Sequence, residues 1–258
     1  MPRDFMNMTN PHRPQSHDAV EGVLANQVPR RPFLRALLAG SAFLVPFSRA
    51  APGRPRPPEG VSQPPAASTG ATKIMIIRHA EKPVGQINGV DASGNQDPNS
   101  LIPQGWQRAG ALVPLFGSSF GPLPAPSHLF APNQFGSGSK RPFETITPLA
   151  AKLGLTMNAT PAGVSPGEYA PTDYPLMVPD ALGCPGVVLI AWEHEFIPSI
   201  ANLIVGNTTT VPQAWPAARF DVVWTFDLDP ATNIYSFNQH PQLLLQGDLP
   251  TPLPYAAS

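Results

Sequence analysis

The chain predicts an α/β domain: a three-layer α/β/α sandwich whose sheet is mainly parallel and ends in an antiparallel C-terminal edge hairpin. Three observations carry this. From Lys73 onward, short apolar runs alternate with segments of helical periodicity, the pattern of crossover units. Gly186-Val187-Val188-Leu189-Ile190-Ala191-Trp192 is apolar throughout, as a strand covered on both faces must be. Phe220 to Leu228 places its large apolar side chains on every second residue, which marks a strand with one wet face.

Taken in order, Lys73 to Ile77 reads as the first strand and stops abruptly at Arg78-His79-Ala80-Glu81-Lys82-Pro83. A helix is predicted from Pro103 to Phe116, a strand from His128 to Ala131, and a helix from Pro142 to Leu153. Thr156 to Leu182 contains prolines and no clear long helix, so an irregular stretch is expected there. After the central strand, Phe196 to Val205 reads as helix. The alternating strand from Phe220 then meets the turn residues Asp229-Pro230-Ala231-Thr232-Asn233 and a partner, Ile234 to Phe237.

Three segments follow from composition. Residues 1–50 read as an export signal: Arg30-Arg31-Pro32-Phe33-Leu34-Arg35 precedes the apolar run Ala36 to Phe47, too short to span a bilayer as a helix. The pattern resembles a twin-arginine signal. Ser48-Arg49-Ala50 offers small residues at the two positions a signal peptidase reads, so cleavage is predicted after Ala50. Residues 51–72 are rich in Pro, Ser and Gly, a disordered linker by composition. Residues 73–258 read as one folded domain, long enough for one full core. The expected destination is periplasmic or extracellular in a bacterium, without stable membrane insertion once the signal is removed.

Charge narrows the class of partner. From Lys73 onward eight cations stand against thirteen acids, a formal charge of −5. Such a body is a poor match for nucleic acid or an anionic membrane, which need distributed Lys and Arg. A small anion is different, because a few gathered cations suffice. The single cysteine, Cys184, excludes an internal disulfide and reads as a small buried apolar side chain.

The scarce positive charge is gathered at predicted strand ends. Arg78 and His79 follow the first strand, Lys140-Arg141-Pro142-Phe143-Glu144-Thr145 follows the second and opens a helix, and Glu193-His194-Glu195 follows the central one. A parallel sheet brings all three to one edge, the crevice where open α/β sheets bind ligands. Alone, an Arg-His pair is an ordinary loop, and His194 an ordinary core or surface histidine. Together they form a pattern.

These residues resemble the histidine phosphatase superfamily, which includes phosphoglycerate mutase-like and histidine acid phosphatase-like proteins. The resemblance rests on Arg78-His79 with its tail, Pro103-Gln104-Gly105-Trp106-Gln107-Arg108-Ala109-Gly110, Ser139-Lys140-Arg141-Pro142 with Glu144-Thr145, and Trp192-Glu193-His194. It implies a metal-independent phosphomonoester hydrolase with no cofactor, acting on a small phosphorylated substrate. His79 would attack phosphorus and form a phosphohistidine, which water then hydrolyses. Arg78 and Arg141 would grip the phosphoryl oxygens, and His194 would donate to one of them. Lys82 stands where acid phosphatases of the family carry an arginine and implies an auxiliary substrate contact. Three carboxyls compete to protonate the leaving group: Glu195, which is favoured, Glu168 and Glu81.

Two departures accompany the resemblance. Ala80 replaces a glycine found in many members, which is harmless at negative φ, and Thr156 to Leu182 predicts a reduced or irregular substrate cover. His128 and His240 are expected to be structural, the latter in a tail, and Glu144 and Arg108 to be solvated helix residues or salt-bridge partners. Metal, nucleotide-loop and serine-hydrolase chemistries fit poorly. No histidines fall at zincin spacing, Gly136-Ser137-Gly138-Ser139-Lys140 misses the P-loop spacing, and no glycine-flanked serine directly follows a predicted strand, as a nucleophile elbow must. The alternative from another class is a catalytically inactive phosphate- or anion-binding module on the same fold.

Overall fold

The computed structural model describes residues 70–117, 121–134, 138–160 and 167–255. The segment expected to be an export signal and nearly all of the expected linker lie outside them. The elements are β1 (Ala71–Arg78), α1 (Pro103–Phe116), β2 (His128–Phe130), α2 (Arg141–Leu153), α3 (Tyr174–Gly183), β3 (Gly186–Trp192), α4 (Ile197–Val205), β4 (Val222–Asp229) and β5 (Ile234–Pro241).

The strand order is β2-β3-β1-β4-β5. β1 and β2 both run parallel to β3, and β4 is antiparallel to β1 and to β5. The sheet is therefore a parallel trio extended by a C-terminal hairpin, as the alternation of elements predicts.

Two-residue periodicity sorts the core onto two faces. Ile74, Ile76, Val188, Ile190 and Trp192 share one face with Met177, Val178 and Ala181 of α3 and Ile197, Ile200 and Ile204 of α4. Met75, Ile77, Leu189 and Ala191 share the other with Leu112 and Phe116 of α1 and Ile146 and Leu149 of α2. Helices thus cover both faces. The chain leaves β1 through α1 on one side and leaves the adjacent β3 through α4 on the other. That divergence opens a crevice beyond the carboxyl ends of β1 and β3.

The helices start and stop for legible reasons. Proline occupies the first turn of α1, α2, α3 and α4, where its missing N–H has no acceptor to lose. α2 and α4 end on Gly154 and Gly206 in the left-handed conformation, with φ of 67° and 72°, a backbone state glycine enters without strain.

Three expectations are corrected. The stretch from Thr156 to Leu182, expected to be irregular, contains the ten-residue helix α3 preceded by a short 3₁₀ turn at Pro171–Asp173. Pro175 and Pro179 within it obscure the helical pattern, yet burial of Met177, Val178 and Ala181 holds it. β4 has no wet face over Val222 to Phe226, all of which are buried. There the alternation sends Trp224 and Phe226 into one core layer and Val223 into the other. His240 belongs to β5, not to a tail, and its Nε2 lies 3.2 Å from Thr225 Oγ1.

Candidate active site

The site is built at the carboxyl end of β1. There the His79 N–H donates to the Trp192 carbonyl at 3.0 Å, extending the β1–β3 ladder by one residue. The His79 ring is almost wholly buried, and Nδ1 lies 2.7 Å from the Ala80 carbonyl. A carbonyl only accepts, so Nδ1 carries the proton and Nε2 carries the lone pair. Burial first, and the Arg78 charge second, hold the imidazole well below its ordinary pKa. The ring is therefore neutral, the form a nucleophile requires.

Arg78 is fully buried beside it, and the Phe220 ring serves both, its centroid lying 6.0 Å from that of the His79 ring. Arg78 Nη1 donates to the carbonyls of Ala217 (2.5 Å) and Arg219 (3.2 Å), and its guanidinium carbon lies 3.9 Å from the centroid of the Phe220 ring. Such stacking steadies the cation. Burial lowers its pKa to about 10, and it remains charged at neutral pH. Nε and Nη2 have no hydrogen-bond partner among the described residues, and neither have Arg141 Nε and Ser139 Oγ, although all four atoms are buried. Unmade bonds of this kind are costly. Four buried atoms able to donate, three of them from the two charged guanidinium groups, are the set a tetrahedral oxyanion would satisfy.

Arg141 is positioned by α2, which it opens. Thr145, one turn on, links that helix to the loop after β1, because its Oγ1 accepts the Ala80 N–H at 2.8 Å and donates to the Arg141 carbonyl at 2.7 Å. Glu144 braces the same turn from within, accepting from Ser100 Oγ at 2.7 Å and from the Leu101 N–H at 2.9 Å. Burial pushes the Glu144 carboxyl above its usual range. His194 is half-buried, and desolvation, then the Arg78 charge, lowers its pKa. The His194 charge in turn contributes to the depression at His79, which places the two imidazoles within electrostatic reach of one another. Lys82 is partly buried and acts on both Glu193 and His194.

The three candidate carboxyls are placed differently. Glu81 is buried, and Arg108 grips it through Nη2 at 2.8 Å and Nε at 3.0 Å. Arg108 also donates to Asp248 at 2.7 Å and Gln242 at 2.9 Å, tying the C-terminal segment to the loop after β1. Arg108 is thus a salt-bridge partner, one of the two roles expected of it, and both it and Glu144 are buried rather than solvated. Glu168 is exposed, and Glu195 is exposed on the turn after β3. Ala80 keeps negative φ, since only Asn158, Asn233 and Leu243 among the described non-glycine residues have positive φ.

Sequence reasoning passed over the stacking of Phe220, the carbonyls of residues 217 and 219, the Ser139 hydroxyl and Glu193. Phe220 was legible only as the start of a strand. The loop carbonyls carry no side-chain signal at all. A cavity of about 380 Å³ adjoins the site, lined in part by Glu81, Arg108, Arg219, Phe220 and Asp248. A larger one, about 490 Å³, lies at the other end of β1 around Gly70, Ala71 and Tyr235 and holds none of these groups.

No protein-family model matches the chain, and no curated protein matches it. Solved structures do. One is a mycobacterial glucosyl-3-phosphoglycerate phosphatase, 13% identical with a TM-score of 0.39 over 66% of this chain and 97% of that one. Another is the putative phosphohistidine phosphatase SixA from Agrobacterium tumefaciens, 11% identical with a TM-score of 0.39 over 65% and 96%. A third is phosphoserine phosphatase from Entamoeba histolytica in complex with 3-phosphoglyceric acid, 14% identical with a TM-score of 0.38 over 67% and 99%. All three are phosphatases by name.

Proposed function

We propose that this chain is an exported phosphomonoester hydrolase that works through a phosphohistidine on His79 without a metal ion. The observation that carries the reading is the buried, neutral His79 ring. Its Nδ1 is held by the Ala80 carbonyl, and its lone pair is left on Nε2 beside unpartnered Arg78 and Arg141 donors. Nε2 attacks phosphorus in line and the P–O bond to the leaving group breaks. Water then hydrolyses the P–N bond, so that one difficult displacement becomes two easier ones. Arg78, Arg141 and His194 stabilise the charge on the equatorial oxygens, and Lys82 adds neutralisation from the rim.

The test is turnover of a generic phosphomonoester by the wild type and by His79→Ala. The wild type should release phosphate equally well with and without chelator, and the variant should lose at least about 10³-fold in kcat. Comparable turnover by the variant would reject His79 as nucleophile. Binding of inorganic phosphate by the wild type without any turnover would favour the inactive anion-binding module.

Export is supported by Arg30-Arg31 and the short apolar run behind them. Cell fractionation checks it: replacing both arginines by lysine should retain the protein inside the cell, and unchanged export would contradict the proposal.

A further inference from the structure

We infer that Glu193 is the acid that protonates the leaving-group oxygen, an assignment that rests on the phosphatase reading of the site. Strand register is the first ground. β1 and β3 pair Met75 with Leu189, Ile77 with Ala191 and Arg78 with Trp192, and the bond from the His79 N–H to the Trp192 carbonyl carries the ladder one residue further. His79 therefore stands opposite Glu193. Side chains alternate between faces along each strand, and Met75, Ile77, Leu189 and Ala191 all lie in the core layer beneath α1 and α2. The next step of that alternation directs His79 and Glu193 to the same side. It is the side on which α2 begins with Arg141.

Surroundings are the second ground. Glu193 is half-buried, whereas Glu195 and Glu168 are exposed and Glu81 is occupied by Arg108. Its charged neighbours are Glu195 on its own turn, Arg141 from α2 and Lys82 from the loop after β1, and His79 stands opposite it in backbone register just past the strand ends. The turn itself is fixed by the bond from the Phe196 N–H to the Glu193 carbonyl at 3.0 Å. Burial, then repulsion from Glu195, raises its carboxyl above the usual range, which keeps a transferable proton on it further toward neutral pH.

The step balances. The Nε2 lone pair of His79 forms the P–N bond as the P–O bond breaks, and the Glu193 proton passes to the departing oxygen. The resulting carboxylate then takes a proton from the water that attacks phosphorus, and His79 leaves neutral with Glu193 reprotonated.

The distinguishing experiment measures kcat/KM of the full-length wild type, Glu193→Gln and Glu195→Gln on p-nitrophenyl phosphate and on an alkyl phosphate. A nitrophenolate leaves without help, whereas an alkoxide needs a proton. Glu193→Gln should slow the alkyl ester by about 10²–10³-fold and p-nitrophenyl phosphate by less than about tenfold, the latter showing that the variant is folded. It should also abolish the alkaline limb of the alkyl-ester pH profile. Glu195→Gln should change both esters by one common factor. An equal effect of Glu193→Gln on the two esters, or a leaving-group-dependent loss in Glu195→Gln instead, would overturn the assignment. Failure of the wild type to hydrolyse either ester would overturn the phosphatase reading and this assignment with it.

Discussion

At the scale of single residues, buried donors and acceptors decide what the site can do. His79 is held neutral by desolvation and by Arg78, and this has a consequence for stability. Its folded pKa lies well below 6.5, so below about pH 6.5 the unfolded chain binds a proton that the native state refuses, and stability falls as pH falls. Between pH 7 and 5 the wild type should lose stability relative to His79→Gln, at a slope of at most about 1.4 kcal/mol per pH unit. Urea midpoints measured across that range check it, and parallel slopes for the two proteins would contradict a buried neutral imidazole. Arg78, His79, Arg141 and His194 were legible in the sequence because charge following an apolar run is conspicuous. Glu193 stood in the same run, but its face became readable only once β1 and β3 were in register.

At the scale of elements, the helices and strands do more than carry these groups. Arg108 of α1 crosses to Glu81 of the loop after β1 and to Asp248 near the C-terminus, all with little exposure. Its net worth against an apolar replacement is small, but removing one partner strands buried carboxylates. Arg108→Ala should therefore cost about 3–5 kcal/mol of stability, seen as a lowered thermal midpoint, and a loss under about 1 kcal/mol would show the network to be solvated. Close packing reinforces it, since a Cβ on Gly105 of α1 would come within 2.6 Å of the Glu81 carbonyl. Most elements were legible because their apolar periodicity is regular. α3 was not, because two prolines and a short burial stripe mask a helix that packing alone sustains.

At the scale of the whole molecule, the strand order brings residues far apart in sequence to one edge. β1 and β3 are neighbours although α1, β2, α2 and α3 intervene, and their connecting helices diverge to opposite faces. Alternation of apolar segments was enough to read the layers and the C-terminal hairpin. The contacts of Arg78 with the 217–219 loop and of Arg108 with Asp248 span more than a hundred residues, and no local pattern reveals such pairings. The proposed mechanism turns on a covalent bond between phosphorus and one ring nitrogen. Rapid alkaline quenching after mixing with a phosphomonoester, followed by mass analysis at high pH of the peptide containing His79, tests this most directly. A mass increase of one phosphoryl group on His79, acid-labile and absent from His79→Ala, is the expected result; turnover with no labelled histidine at any quench time, or the label on another residue, would contradict it.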